Sequence, residues 1–193
     1  MKRLLIIGFL AFCSTFAVAQ TKVQNERIKD IRTMFQDAMN RIKENSEESE
    51  YTDNSAHLEL NRMYPGSGMQ HYKIDMYLED TSEDEVEVNW QPYFIRFKYN
   101  WGMREFVHEC LVNSKNGKPI FLFVKMPDED GMYEDRLYFN ADGSLCYASQ
   151  TKYEIVEGKK EYVKAMKATD DSVKSAISQY NNVKKWVSAT TDL

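Results

Sequence analysis

From about His57 to Ala168 the chain alternates short apolar–polar runs with turns built on Gly, Asn, Asp and Pro, and this grammar leaves few folds open. Tyr72, Ile74, Met76 and Leu78 alternate with Lys73, Asp75 and Tyr77, the period of a half-buried strand. Asp80 to Glu85 is a charged turn, after which Val86, Val88 and Trp90 alternate again. Pro92 fits only a strand start or edge, because it has no N–H for a ladder. Phe94 to Trp101 and Met103 to Val112 read as two strands joined near Asn100 to Gly102. Asn116-Gly117 suits a tight hairpin into Ile120 to Lys125, and Pro127 to Gly131 makes a longer turn. Ala141-Asp142-Gly143 links Arg136–Phe139 to Leu145–Ser149, and Glu157-Gly158-Lys159 links Tyr153–Val156 to Tyr162–Met166. Sequential strands on such short turns pair antiparallel, so a meander of seven to eight strands is expected, as a curved sheet or half-barrel.

Helical periodicity flanks the meander on both sides. Ile28, Ile31, Phe35, Ala38 and Ile42 recur at three- and four-residue steps, predicting an amphipathic helix over 23–42. Its seam is two heptads long, which favours packing on the chain's own sheet over a coiled coil. The polar stretch Glu44 to Glu50 reads as linker. A second helix follows Thr169 or Asp170 as cap, with Val173, Ile177, Tyr180, Val183 and Val187 as its stripe. Helix, meander, helix is an α+β domain in which one or both helices cover the apolar side of the sheet.

The N-terminus has a different logic. Met1-Lys2-Arg3 is basic, Leu4 to Val18 is uncharged, and Ala17-Val18-Ala19 is a small-x-small site before Gln20. This is the layout of a cleaved signal peptide at 1–19, leaving one domain over 20–193 for the periplasm or the cell exterior. An apolar run of this length is short for a bilayer span, so no transmembrane segment is expected after cleavage. Phe12 precedes Cys13 where lipid attachment wants a small residue, which argues against a lipoprotein. Losing Lys2 and Arg3 moves the net charge from −5 to −7. An acidic chain with no basic run is a poor partner for nucleic acid or an anionic membrane.

The hairpin segments Arg136 to Leu145 and Asn116 to Ile120 look similar to the strand-(N/D)G-strand hairpins of small exported bacterial α+β domains. The likeness covers about a third of the chain and assigns no residue a role.

Catalytic and metal motifs are sparse. There is no G-x-S-x-G elbow. His57, His71 and His108 are scattered, with no H-x-H or H-E-x-x-H pair, so no metal or cofactor is indicated. Asp128, Asp130 and Asp135 could offer a loose calcium contact, but the EF-hand register fails at Met126 and Leu137. Acids abound, yet they fall in turns and on polar strand faces rather than as a paired cleft dyad. Cys110 and Cys146 form an even pair in an exported chain, which points to a disulfide. His108 and Cys110, two apart on one strand, are the alternative: a thiol–imidazole dyad for a small hydrolase or redox enzyme.

Trp90, Tyr93, Phe94, Phe97, Tyr99 and Trp101 crowd into one stretch. Aromatics in strands fill cores, or stand displayed as a binding platform. The displayed reading, with Trp90, Tyr93, Tyr99 and Trp101 as the surface, gives a non-catalytic exported binding or interaction domain for a glycan, lipid or protein. A helix-lidded half-barrel would instead carry a hydrophobic ligand.

Overall fold

The computed structural model describes residues 22–44, 54–66, 68–83, 88–129, 131–157 and 159–191. The expected signal segment 1–19, most of the expected linker, and Val86 lie outside these residues. Eight strands follow one helix and precede another. They are β1 (Ser55–Tyr64), β2 (Gly68–Asp80), β3 (Trp90–Trp101), β4 (Arg104–Asn113), β5 (Lys118–Pro127), β6 (Gly131–Phe139), β7 (Leu145–Val156) and β8 (Lys159–Lys167). Helix α1 covers 22–44 and α2 covers Asp170–Thr191.

The sheet is a pure meander. Its spatial order equals its sequence order, every pair is antiparallel, and β1 and β8 are edges, so the sheet is open. Pro92 stands opposite Leu78, next to an irregularity in the β2–β3 ladder at Tyr77/Leu78, where a missing N–H does least harm. The two segments expected over Leu145–Ser149 and Tyr153–Val156 are one strand, β7. The Asn116-Gly117 connection is wider than a two-residue hairpin: Ser114 to Gly117 turn, and the Gly117 N–H donates to Asn113 O at 2.7 Å.

The two helices take opposite faces of the sheet, so the domain has three layers. On one face Ile28, Ile31, Ala38 and Ile42 of α1 pack against Phe94, Leu111, Phe121 and Tyr138. Gln24 donates to Cys146 O at 2.6 Å and Arg27 to Phe139 O at 3.2 Å, while Arg41 pairs with Glu79 at 2.9 Å. These anchors stretch α1 from β6–β7 across to β2. On the other face Ala176, Tyr180, Val183 and Val187 of α2 pack against Ile95, Phe97, Cys110, Leu122 and Leu137. Thr169 caps α2, its hydroxyl accepting the Ser172 N–H at 3.2 Å.

Double coverage explains the central strands. A strand buried on one face alternates; one buried on both reads as a continuous apolar run. Tyr93-Phe94-Ile95, Ile120-Phe121-Leu122 and Leu137-Tyr138-Phe139 are such runs, each buried throughout. Much of the aromatic crowding on β3 is therefore core, serving two cores at once.

Candidate functional site

The four aromatics expected to form one surface are divided between faces and ends. Tyr93 is buried on the α1 face under the Arg41 guanidinium, 4.2 Å from its ring centre. Tyr99 points to the α2 face, stacked on Phe106 at 4.7 Å. Trp90 and Trp101 are exposed at opposite ends of β3, roughly 35 Å apart at ~3.3 Å per residue. Tyr93 lines a polar-edged hollow with Arg41 and Glu79 on the α1 face, and Tyr99 lines an aromatic cleft on the α2 face.

That cleft lies between the sheet and the C-terminal half of α2. It has a volume of about 310 Å³, and Tyr72, Phe97, Tyr99 and Trp186 form its walls, with Gln179, Asn182 and Lys185 at its margin. Strand register builds it: Tyr72 sits opposite Tyr99 across β2–β3, and Phe97 precedes Tyr99 by two on the same face. Their rings stack at 5.9 Å (Tyr72–Tyr99) and 5.2 Å (Phe97–Tyr99). Trp186 meets Tyr72 and Phe97 edge-on at 6.3 and 6.1 Å. Burial pushes the Tyr99 hydroxyl up, and a hydrogen bond from Gln179 acts the other way. Gln179 then has a buried carbonyl oxygen with no partner. An unsatisfied buried acceptor costs ~1–3 kcal/mol, which a ligand donor would recover.

Tyr72, Phe97, Gln179 and Trp186 were not singled out from the sequence as site residues. A signal existed for one pair, since Phe97 and Tyr99 share a strand face. Gln179 and Trp186 border the α2 stripe, and only the docking of α2 brings them over β2 and β3.

A second cleft, of about 420 Å³, lies under α1, with Ile31, Phe35, Phe121, Phe123 and Tyr138 as its apolar walls and Arg32 and Arg136 among its polar ones. The Arg32 guanidinium donates to the Tyr138 hydroxyl at 3.3 Å. Arg136 donates to Glu134 at 2.7 Å.

The expected Cys110–Cys146 bridge is not formed, and both cysteines are free. They sit on β4 and β7, three strand spacings apart, ~14 Å at ~4.8 Å each. They also face opposite layers, Cys110 in the α2 core and Cys146 against the α1 core. A disulfide needs Cα atoms within ~7 Å and Cβ vectors that converge.

Cys110 and His108 do share a face, as their spacing required. Their chemistry runs against a dyad. Burial raises the Cys110 thiol far above its ordinary range. Burial also lowers the His108 imidazole to about 4. A reactive thiolate needs the reverse, a depressed thiol beside a charged imidazole. His108 lies against the Phe97 and Tyr99 rings at 5.7 and 5.8 Å, and its Nε2 is buried without a partner.

Among the described residues, no group of three or more His, Cys, Asp or Glu converges as a metal site. Of the three aspartates weighed for calcium, Asp130 lies outside the described residues. Asp135 is fully buried on the α2 face and accepts the Gln150 amide at 2.8 Å. Among the described helices, none is long and apolar enough to cross a membrane. Comparison with family models, curated proteins and solved structures gave no match to this chain.

Proposed function

We propose that the protein is an exported, non-catalytic binding domain whose ligand site is the aromatic cleft between β2–β3 and α2. The observation that carries this reading is the unpartnered Gln179 carbonyl in a cleft walled by four aromatic rings. Flat π faces accept an apolar ring face, and the amide oxygen fixes a donor at its edge. The size, about 310 Å³, is near the lower end for small-molecule pockets. A sugar ring or a planar ring of similar size fits both the chemistry and the volume. Export rests on the basic–apolar–small layout of 1–19.

The test is a thermal-shift and tryptophan-fluorescence screen against sugars, lipids and peptides. Binding to the folded state alone raises Tm with ligand concentration. A sugar that raises Tm in the wild type and not in Gln179→Leu or Trp186→Ala supports the site. No response from any class, or a response that both variants keep, removes it.

The carrier reading has its own observation, the apolar cleft under α1. Arg136 is held by Glu134 and the lining carboxylate Glu109 by Arg96, which leaves Arg32 as the cation suited to the carboxylate head of an apolar ligand. Displacement of a fluorescent fatty acid, weakened in Arg32→Gln, would favour it over the α2 cleft.

A further inference from the structure

We infer that the end of the sheet formed by the β1–β2 and β3–β4 turns is a membrane-contacting tip, made to enter the headgroup region of a bilayer that carries anionic lipids. Met63, Met69, Trp101 and Met103 are exposed there, Met63 at 67% and Trp101 at 54%, with Met103 fully in solvent. The Tyr64 ring lies beside Trp101 at 6.3 Å. Exposed apolar residues scattered singly need no explanation, but several gathered at adjoining turns mark an interaction surface. Trp and Tyr are the side chains that settle at the membrane–water boundary.

The two turns are held as one unit. The Asn100 amide donates to Met69 O at 3.4 Å and Gly102 O at 3.2 Å, and its oxygen accepts the His71 N–H at 2.6 Å. Gly66 and Gly102 take φ of 84° and 59°, a left-handed backbone that keeps both turns tight.

Charge selects the occupant. Segment 60–73 contains no Asp or Glu, and 97–105 contains one, the exposed Glu105 opposite Asn100, in a chain with 30 of them. The same segments carry Arg62, Lys73, Lys98 and Arg104. Lys73 is engaged by Glu59 and Asp75, while Arg62, Lys98 and Arg104 make no ion pair among the described residues. The acidic β5–β6 turn, with Asp128 and Glu129, bounds the patch beyond β4. Basic residues around apolar ones match an anionic lipid surface. The inference does not depend on the α2 cleft, and its variants leave that cleft intact.

The experiment is flotation with phosphatidylcholine vesicles, with and without phosphatidylglycerol, on the full chain and on the form starting at Gln20. Running both forms controls for the apolar segment 4–18. The wild type is expected to float with the anionic vesicles and to release as salt rises. Arg62→Gln and Arg104→Gln should each weaken binding roughly fivefold. The pair Trp101→Ser with Met103→Ser should abolish it while Tm and sugar response stay unchanged. Three results would overturn the inference. These are no flotation of the wild type, equal flotation of the double variant, or loss in that variant of a dimer seen by sedimentation instead of vesicle binding.

Discussion

Replacing Ile31 with Ala tests whether α1 is a fixed layer of the domain or a movable cover. Ile31 is 0% exposed and packs against the aromatic side of the sheet. The change deletes three carbon groups, ~2.4 kcal/mol at ~0.8 each. The space they leave adds to this, since surroundings collapse only in part, so ~3–4 kcal/mol is expected. For a domain of this size that is a fall in Tm of roughly 6–16 °C. Met34→Ala, on the same helix at 40% exposure, is the control and should stay within ~0.5 kcal/mol. The assay is urea unfolding followed in parallel by far-ultraviolet circular dichroism and tryptophan fluorescence. If α1 belongs to one cooperative unit, both probes shift together and the slope with urea is unchanged. The reasoning fails if helical signal is lost in a separate early step that alone responds to Ile31→Ala. It fails equally if the cost is no larger than for Met34→Ala.

Gly131→Ala should cost at least ~1–3 kcal/mol, because a Cβ there would lie 2.1 Å from the Tyr153 carbonyl oxygen on β7; an unchanged Tm would refute the close approach. In the form starting at Gln20, Cys110 and Cys146 should both titrate as thiols in denaturant without reductant, with Cys146 reacting first in the native protein. A chain with no titratable thiol would refute the register that separates them. His108, held near pKa 4 by burial against an ordinary 6.5, is protonated more readily when unfolded. Stability from this residue is full above the unfolded pKa and falls by about 3 kcal/mol as pH drops through 6.5 toward about 4. His108→Leu should remove that part of the acid sensitivity, and an identical pH–stability curve for the variant would sink the argument.

The fold was legible because its signals are local. The alternation of Tyr72 to Leu78, the Asn116-Gly117 and Asp142-Gly143 turns and the α1 stripe each act within a few residues. β1 was the exception. Ala56, Leu58 and Leu60 alternate ahead of a Pro-Gly turn, but they lie among polar neighbours and next to the acidic stretch. What escaped the sequence was side and distance. Cys110 and Cys146 belong to opposite layers only once the register of four strands is known. Tyr93 and Tyr99 part company for a related reason, since β3 is covered on both faces. An acidic chain without a basic run gives no hint that Arg62, Lys98 and Arg104 share one end of the sheet, since only the β1–β2, β2–β3 and β3–β4 ladders bring them there from distant positions. The cleft under α2 was invisible because half of it comes from a helix more than seventy residues beyond Tyr99.

The strictly sequential strand order has a kinetic consequence. All seven ladders join neighbours in the chain, so no strand must wait for a distant partner to be found. Folding rate in small domains falls as contacts become less local, and sheet proteins are usually slow for that reason. Here each hairpin can close on its own and extend to the next, starting from the Asn116-Gly117 or Asp142-Gly143 turn. The slow steps are left to the helices, because α1 must span from β7 to β2 before the core on its face is dry, and α2 must dock to close the other. A collapsed sheet with unseated helices would then be the species most exposed to aggregation, and the speed of helix docking would govern the yield of folded protein.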